Sequence, residues 1–178
     1  MARLFSLALL STLSFVAVDC LALSKAYETA FQRALIDNYY EGYEYCLGGR
    51  RRTLKKKHCL DCSGFIGKSA VDAGIPGVEE DTQAFMIFAG RHGYKNRAVR
   101  VNEEWKPGDI FCLAVPGSLD RDYNVNHVGA GIRRSGQWKV IDCAGGKVNG
   151  VRIGDYEGIW QKYLAPNGHL RWIHGEKK

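Results

Sequence analysis

Apolar residues change their period near Trp105, from helical spacing before it to β-type runs after it. In the first part, Tyr27, Ala30, Phe31, Ala34 and Leu35 mark one helical face behind a Ser24 cap, with Gly42 ending it. Phe65, Ile66, Ser69, Ala70 and Ala73 mark a second face, opened by Asp61-Cys62-Ser63 and closed by Gly74. A third, short helix is expected over residues 82–89, before Gly90. In the second part, apolar runs at residues 109–115, 127–132, 138–143, 151–153 and 170–174 are bounded by turn residues and predict strands. Arg134-Ser135-Gly136-Gln137 predicts a hairpin turn between two of them. Helices first and strands afterwards predict an α+β domain with an antiparallel sheet, not a doubly wound parallel one. A chain of 178 residues that is 46% apolar can bury one core and is short for two.

Arg3 precedes an apolar run from Leu4 to Val18, and small residues follow near Ala22. The run is shorter than the roughly 20 residues that span a bilayer. It reads as a cleaved secretory signal peptide over residues 1–22, leaving residues 23–178 as one folded domain with no membrane span. Losing Arg3 and Asp19 together leaves the net charge of +6 unchanged. The secreted chain keeps Cys46, Cys59, Cys62, Cys112 and Cys143, an odd set for an oxidising compartment, so one thiol is free or pairs between chains. Arg50, Arg51, Arg52, Lys55, Lys56 and Lys57 have no apolar period and read as an exposed basic loop. That loop lacks interleaved stacking aromatics, so a nucleic-acid partner is not expected.

Cys62 falls where a loop becomes a helix, between Asp61 and Ser63-Gly64. Backbone N–H groups and the positive end of the helix dipole favour a thiolate at such a place. A nucleophile of this kind needs a proton acceptor and an orienting group. His127 opens one predicted strand and Asp142 lies in the next, a separation that a hairpin closes, so a Cys62–His127–Asp142 arrangement follows if the helix packs on that sheet. His58, His92, His169 and His174 read as surface or structural. Taken singly, each of these residues is more often structural than catalytic. Cys59-Leu60-Asp61-Cys62 also spells a C-x-x-C, which admits a thiol-disulfide oxidoreductase or two legs of a zinc site; the redox motif would want a βαβ context that is absent here.

The ordered set resembles a family. Tyr45-x-x-Gly48-Gly49, Asp61-Cys62-Ser63-Gly64-Phe65, Lys106-Pro107-Gly108-Asp109-Ile110-Phe111, His127-Val128-Gly129 and Val140-Ile141-Asp142 resemble the successive motifs of NlpC/P60 cysteine peptidases, which hydrolyse peptide bonds of bacterial peptidoglycan. Within that superfamily, the chain is similar to type VI secretion amidase effectors of the second class and to the domesticated amidase effectors of ticks and mites. The resemblance implies a papain-like fold, no cofactor or metal, and a secreted antibacterial enzyme whose substrate is a stem-peptide or cross-link amide such as the meso-diaminopimelate to D-alanine bond. It implies Cys62 as nucleophile, His127 as general base and then acid, and Asp142 as the residue orienting the imidazole, where the family commonly has His, Asn or Gln. Tyr45 would help hold the oxyanion, and Asp61 and Ser63 would line the substrate groove. Gly48-Gly49 would let the backbone pass close to the helix. With Cys62 free, pairs Cys46–Cys59, stapling the basic loop, and Cys112–Cys143, between strands, are expected. The basic loop would hold the protein, as a monomer, against anionic wall polymers. The alternatives are the thiol-disulfide oxidoreductase using Cys59-x-x-Cys62 and a catalytically inactive module that binds wall fragments.

Overall fold

The computed structural model describes residues 29–75, 94–98, 103–114 and 126–177. The leader over residues 1–22 and the short helix expected over residues 82–89 lie outside them. A first helix, α1, covers residues 29–40, and strand β1 follows at Glu44–Tyr45. A 3-10 helix at Arg51–Lys55 leads to β2, Cys59–Leu60, and directly to α2, Cys62–Asp72. The remaining elements are β3 (Tyr94–Ala98), β4 (Ile110–Leu113), β5 (His127–Arg134), β6 (Gln137–Ala144), β7 (Gly150–Gly154), the single turn α3 (Ile159–Lys162) and β8 (Leu164–Lys177). The eight strands form one sheet in the order β2-β1-β7-β6-β5-β4-β8-β3. Only β1 and β2 pair in parallel; the other pairings are antiparallel. The chain is therefore an α+β domain, as the change of period predicts.

Helix α1 ends before Gly42, and α2 ends before Gly74; both glycines have φ +69°, a backbone state that stops a helix without a Cβ penalty. The hairpin turn also forms where expected. Arg134 faces Gln137 across a two-residue loop whose Ser135 and Gly136 both have positive φ. Strands β1 and β2 escape a reading by period because two residues cannot display one, and β3, Tyr-Lys-Asn-Arg-Ala, has no apolar alternation.

Alternation along the central strands divides the interior into two cores. Val128, Ala130 and Ile132 of β5, with Ile141 and Cys143 of β6, pack with Phe65, Ile66 and Ala70 of α2 and with Phe31 and Leu35 of α1. Phe111 and Leu113 of β4 and Val140 of β6 form the second core with Trp160 of α3. Gly108, before β4, holds φ +87° where a Cβ would meet the Phe31 ring at 2.7 Å, and Asp109 beside it accepts from the Lys106 N–H at 2.9 Å. The same carboxylate also meets His169 Nε2 at 3.0 Å, so the Pro107-Gly108-Asp109 turn is tied to β8 through that histidine.

The expected Cys112–Cys143 disulfide is not formed; both thiols are free and buried. Sheet order is the reason. Cys112 pairs with Val128 on β5, and β5 separates β4 from β6. Two strand spacings, about 9.6 Å, exceed the roughly 7 Å limit for bridging Cα atoms. Cys46–Cys59 does form, with a Cα–Cα distance of 5.5 Å. Alkylation in denaturant without reductant is therefore expected to label Cys62, Cys112 and Cys143 and to spare Cys46 and Cys59, as peptide mass mapping would read. A blocked Cys112 or Cys143 would contradict the sheet order.

Candidate active site

Cys62 is the first residue of α2, and its place is set by Asp61. The N-cap Asp61 has extended backbone, and its Oδ1 accepts from the Gly64 N–H at 2.7 Å and from Ser63 Oγ at 2.8 Å. Oδ2 accepts from the Gly48 N–H at 3.1 Å and from Arg50 Nη1. Asp61 is 2% exposed, so this set of donors takes the place of water around a buried charge. The loop before it is equally tight. The Gly49 carbonyl accepts from the Asp61 N–H at 3.1 Å and from Arg50 Nη1 at 3.2 Å, and a Cβ on Gly64 would lie 2.0 Å from that same oxygen. A Cβ on Gly49 would meet Leu60 Cα at 2.7 Å. Glycine at 49 and 64 is thus a requirement of backbone approach, so the sequence expectation holds for Gly49; Gly48 has open space around it, and its glycine suits a φ of +77° instead.

The expectations for three residues, Arg50, Asp61 and Ser63, are corrected here. Arg50 is not part of an exposed basic loop; it is buried and paired with Asp61, because a buried carboxylate draws in the nearest guanidinium. Asp61 and Ser63 do not line an open groove: both are buried, and Asp61 is occupied by the cap and by Arg50. Lys55, Lys56 and Lys57 are exposed as expected, Arg51 is half-buried, and the Arg52 side chain is not among those described.

His127, the first residue of β5, hydrogen-bonds through Nε2 to Asp142 Oδ2 at 2.5 Å, and Cys62 lies near enough to act on the same ring. With Nε2 turned to Asp142, Nδ1 is the nitrogen left to serve Cys62. Asp142 is 1% exposed and receives a guanidinium fork: Arg152 Nε donates to Oδ1 at 2.9 Å and Nη2 to Oδ2 at 3.0 Å. Asp142 and Arg152 face each other in the β6/β7 register. The Trp160 ring lies 5.4 Å from the His127 ring, centroid to centroid, and reaches that place because Gly129 has no side chain; a Cβ there would be 2.5 Å from the indole. The Tyr45 ring, on β1, packs across Gly145, just beyond the end of β6.

The structure thus brings Cys62, His127 and Asp142 together from three elements, as their spacing predicts. Arg152 and Trp160 were not anticipated. A single cation between Val151 and Ile153, opposite Asp142 once β6 and β7 pair, is a signal for the first; nothing in sequence spacing points to the second. Cys59 is joined to Cys46 and not to Cys62, so the C-x-x-C does not act as a pair. Among the described residues no cluster of His, Cys, Asp or Glu has the makings of a metal site, and no helix is long and apolar enough to cross a membrane. Comparison with family models, with curated proteins and with solved structures found no match to the chain.

Burial pushes the Cys112 and Cys143 thiols up to about 12, with the charges of Cys62 and, for Cys143, Asp142 adding to the effect. Both therefore stay protonated and unreactive. For His127, burial alone lowers proton affinity, but hydrogen bonds to Asp142 and Cys62 and their negative charge outweigh it and raise the imidazole from 6.5 to about 9. A raised histidine contributes stability that is fully present below its unfolded value near 6.5 and lost as pH rises through about 9. The melting temperature is expected to fall across that window, and the fall to shrink in His127→Gln; equal slopes in the two proteins would exclude the His127 linkage. Gly64→Ala is expected to cost about 3 kcal/mol in denaturant unfolding, because a methyl group cannot share space with the Gly49 carbonyl.

Proposed function

We propose that this chain is a secreted cysteine peptidase or amidase of the NlpC/P60 type, with a papain-like arrangement, acting on amide bonds of bacterial peptidoglycan. The observation that carries the reading is the Cys62–His127–Asp142 constellation: a thiol at a helix N-terminus, near an imidazole whose Nε2 is held by a buried carboxylate. In the reaction, His127 Nδ1 takes the Cys62 proton and the sulfur attacks the amide carbonyl carbon. The resulting oxyanion is held by the Cys62 backbone N–H and Tyr45. The imidazolium then gives its proton to the leaving amine as the C–N bond breaks, leaving a thioester on Cys62. Water, deprotonated by His127, attacks the thioester and releases a carboxylic acid and the free thiol. The scheme calls on no cofactor.

The order of motifs along the chain favours peptidoglycan over other amides, and the kinship proposed is with type VI secretion amidase effectors of the second class and the domesticated amidase effectors of ticks and mites. The meso-diaminopimelate to D-alanine cross-link is the first bond to examine. Lys55, Lys56 and Lys57 would draw the protein to anionic wall polymers. Purified Gram-negative and Gram-positive sacculi treated with the protein are expected to release defined stem-peptide fragments, identified by mass spectrometry, and Cys62→Ala is expected to release none. Binding without release by both proteins would instead favour an inactive wall-binding module.

A further inference from the structure

Asp142 stands where the resembled family commonly has a neutral or imidazole side chain, and an isolated buried carboxylate there would hold the His127 proton tightly. The structure pairs it at once with a cation. Both oxygens of Asp142 accept from Arg152, at 2.9 and 3.0 Å, and Oδ2 also accepts from His127 at 2.5 Å. The fork fixes the plane of the carboxylate and so the direction from which it meets the imidazole. We propose that Arg152 is a positioning residue of this site: it orients the Asp142 carboxylate and offsets part of its charge, which aligns His127 while weakening the hold on the proton that the leaving group needs. The inference concerns the Cys62–His127 pair itself and rests on the reading of that pair as catalytic; it does not depend on the wall as substrate.

The electrostatic surroundings make the sign clear. Among the described residues, the charged and titratable groups acting on the His127–Asp142 pair are Cys62 from α2, Arg152 from β7 and the protonated thiol of Cys143 on β6, while the protonated Cys112 thiol on β4 acts on Cys62. Asp61, which also acts on Cys143, is already matched by Arg50. Arg152 is therefore the cation bound directly to Asp142, and it reaches His127 through that carboxylate. Removing a fixed positive charge raises the proton affinity of every coupled group near it, whichever atom carries the shared proton. Arg152→Gln is expected to move the apparent titration of the His127 ring upward by about one pH unit. Arg152→Lys keeps the charge but not the fork. It is expected to titrate close to the unaltered protein while its Cys62 is alkylated more slowly, because the imidazole is less well aligned.

The test is an NMR titration of the histidine ring protons in the full chain, with His127→Gln identifying the His127 signal, alongside the rate of Cys62 alkylation by iodoacetamide read on the Cys62 peptide. An upward midpoint in Arg152→Gln, restored in Arg152→Lys with the alkylation rate still reduced, supports the proposal. An unchanged or lowered midpoint in a folded Arg152→Gln protein overturns it. If Arg152→Gln does not fold, Arg152→Lys decides: a midpoint displaced by as much as about one unit, or an alkylation rate equal to that of the unaltered protein, overturns it. Neither readout involves peptidoglycan, so a protein that titrates as expected but releases nothing from sacculi would count against the hydrolase reading alone.

Discussion

A buried carboxylate at position 61 organises everything around Cys62. Taken out of water, an ionised Asp must be surrounded by donors or become a large penalty. Its donors come from both sides of the chain: Gly48 and Arg50 from the preceding loop, Ser63 and Gly64 from the first turn of α2. One side chain thus caps the helix and fastens the loop onto it. The Cys46–Cys59 disulfide closes the same loop at its base, so the segment carrying Gly49 and Arg50 has few other ways to lie. An ion pair so deeply placed adds little net stability over an apolar pair. Its role is to leave α2 one position at which to begin.

The opposite half of the site depends on strand alternation. Residues of β5 and β6 alternate between the core under α2 and the core around Trp160, and the polar residues stand at the end of these strands, where the two cores meet. Asp142 and Arg152 face each other across β6 and β7, so the ladder that builds the sheet also assembles the support for His127. The two buried thiols are then understood as packing. Cys143 donates to the Leu60 carbonyl at 3.3 Å, and Cys112, beside Val128 in the β4/β5 register, packs into the core shared with α2.

Much of this could be read from local sequence, and what could not has a common cause. A cap residue, a helix-ending Gly and a two-residue turn are local, so α2, its start at Cys62 and the β5–β6 hairpin were legible. The same hairpin made the approach of His127 and Asp142 legible. Sheet order is not local, and the Cys112–Cys143 pairing failed because nothing in either strand says that β5 lies between them. Arg50 was misread for a related reason: a run of cations looks solvated until the buried carboxylate that captures one member is known. Trp160 depends on a vacancy at Gly129, which spacing along one strand does not reveal.

The hairpin turn at Ser135-Gly136 carries a further consequence. Both residues have positive φ, and the two-residue loop between Arg134 and Gln137 fixes the count of residues from His127 to Asp142. Because neighbouring side chains of a strand point to opposite faces, a slip of one residue in β6 would carry Asp142 into the apolar layer beneath α2 and set Ile141 or Cys143 opposite Arg152. The turn, remote from Cys62 and touching none of the reacting groups, is therefore a place where inserting or deleting one residue would exchange the polar and apolar halves of the strand. Length there is as stringent a condition on the site as the identity of its side chains.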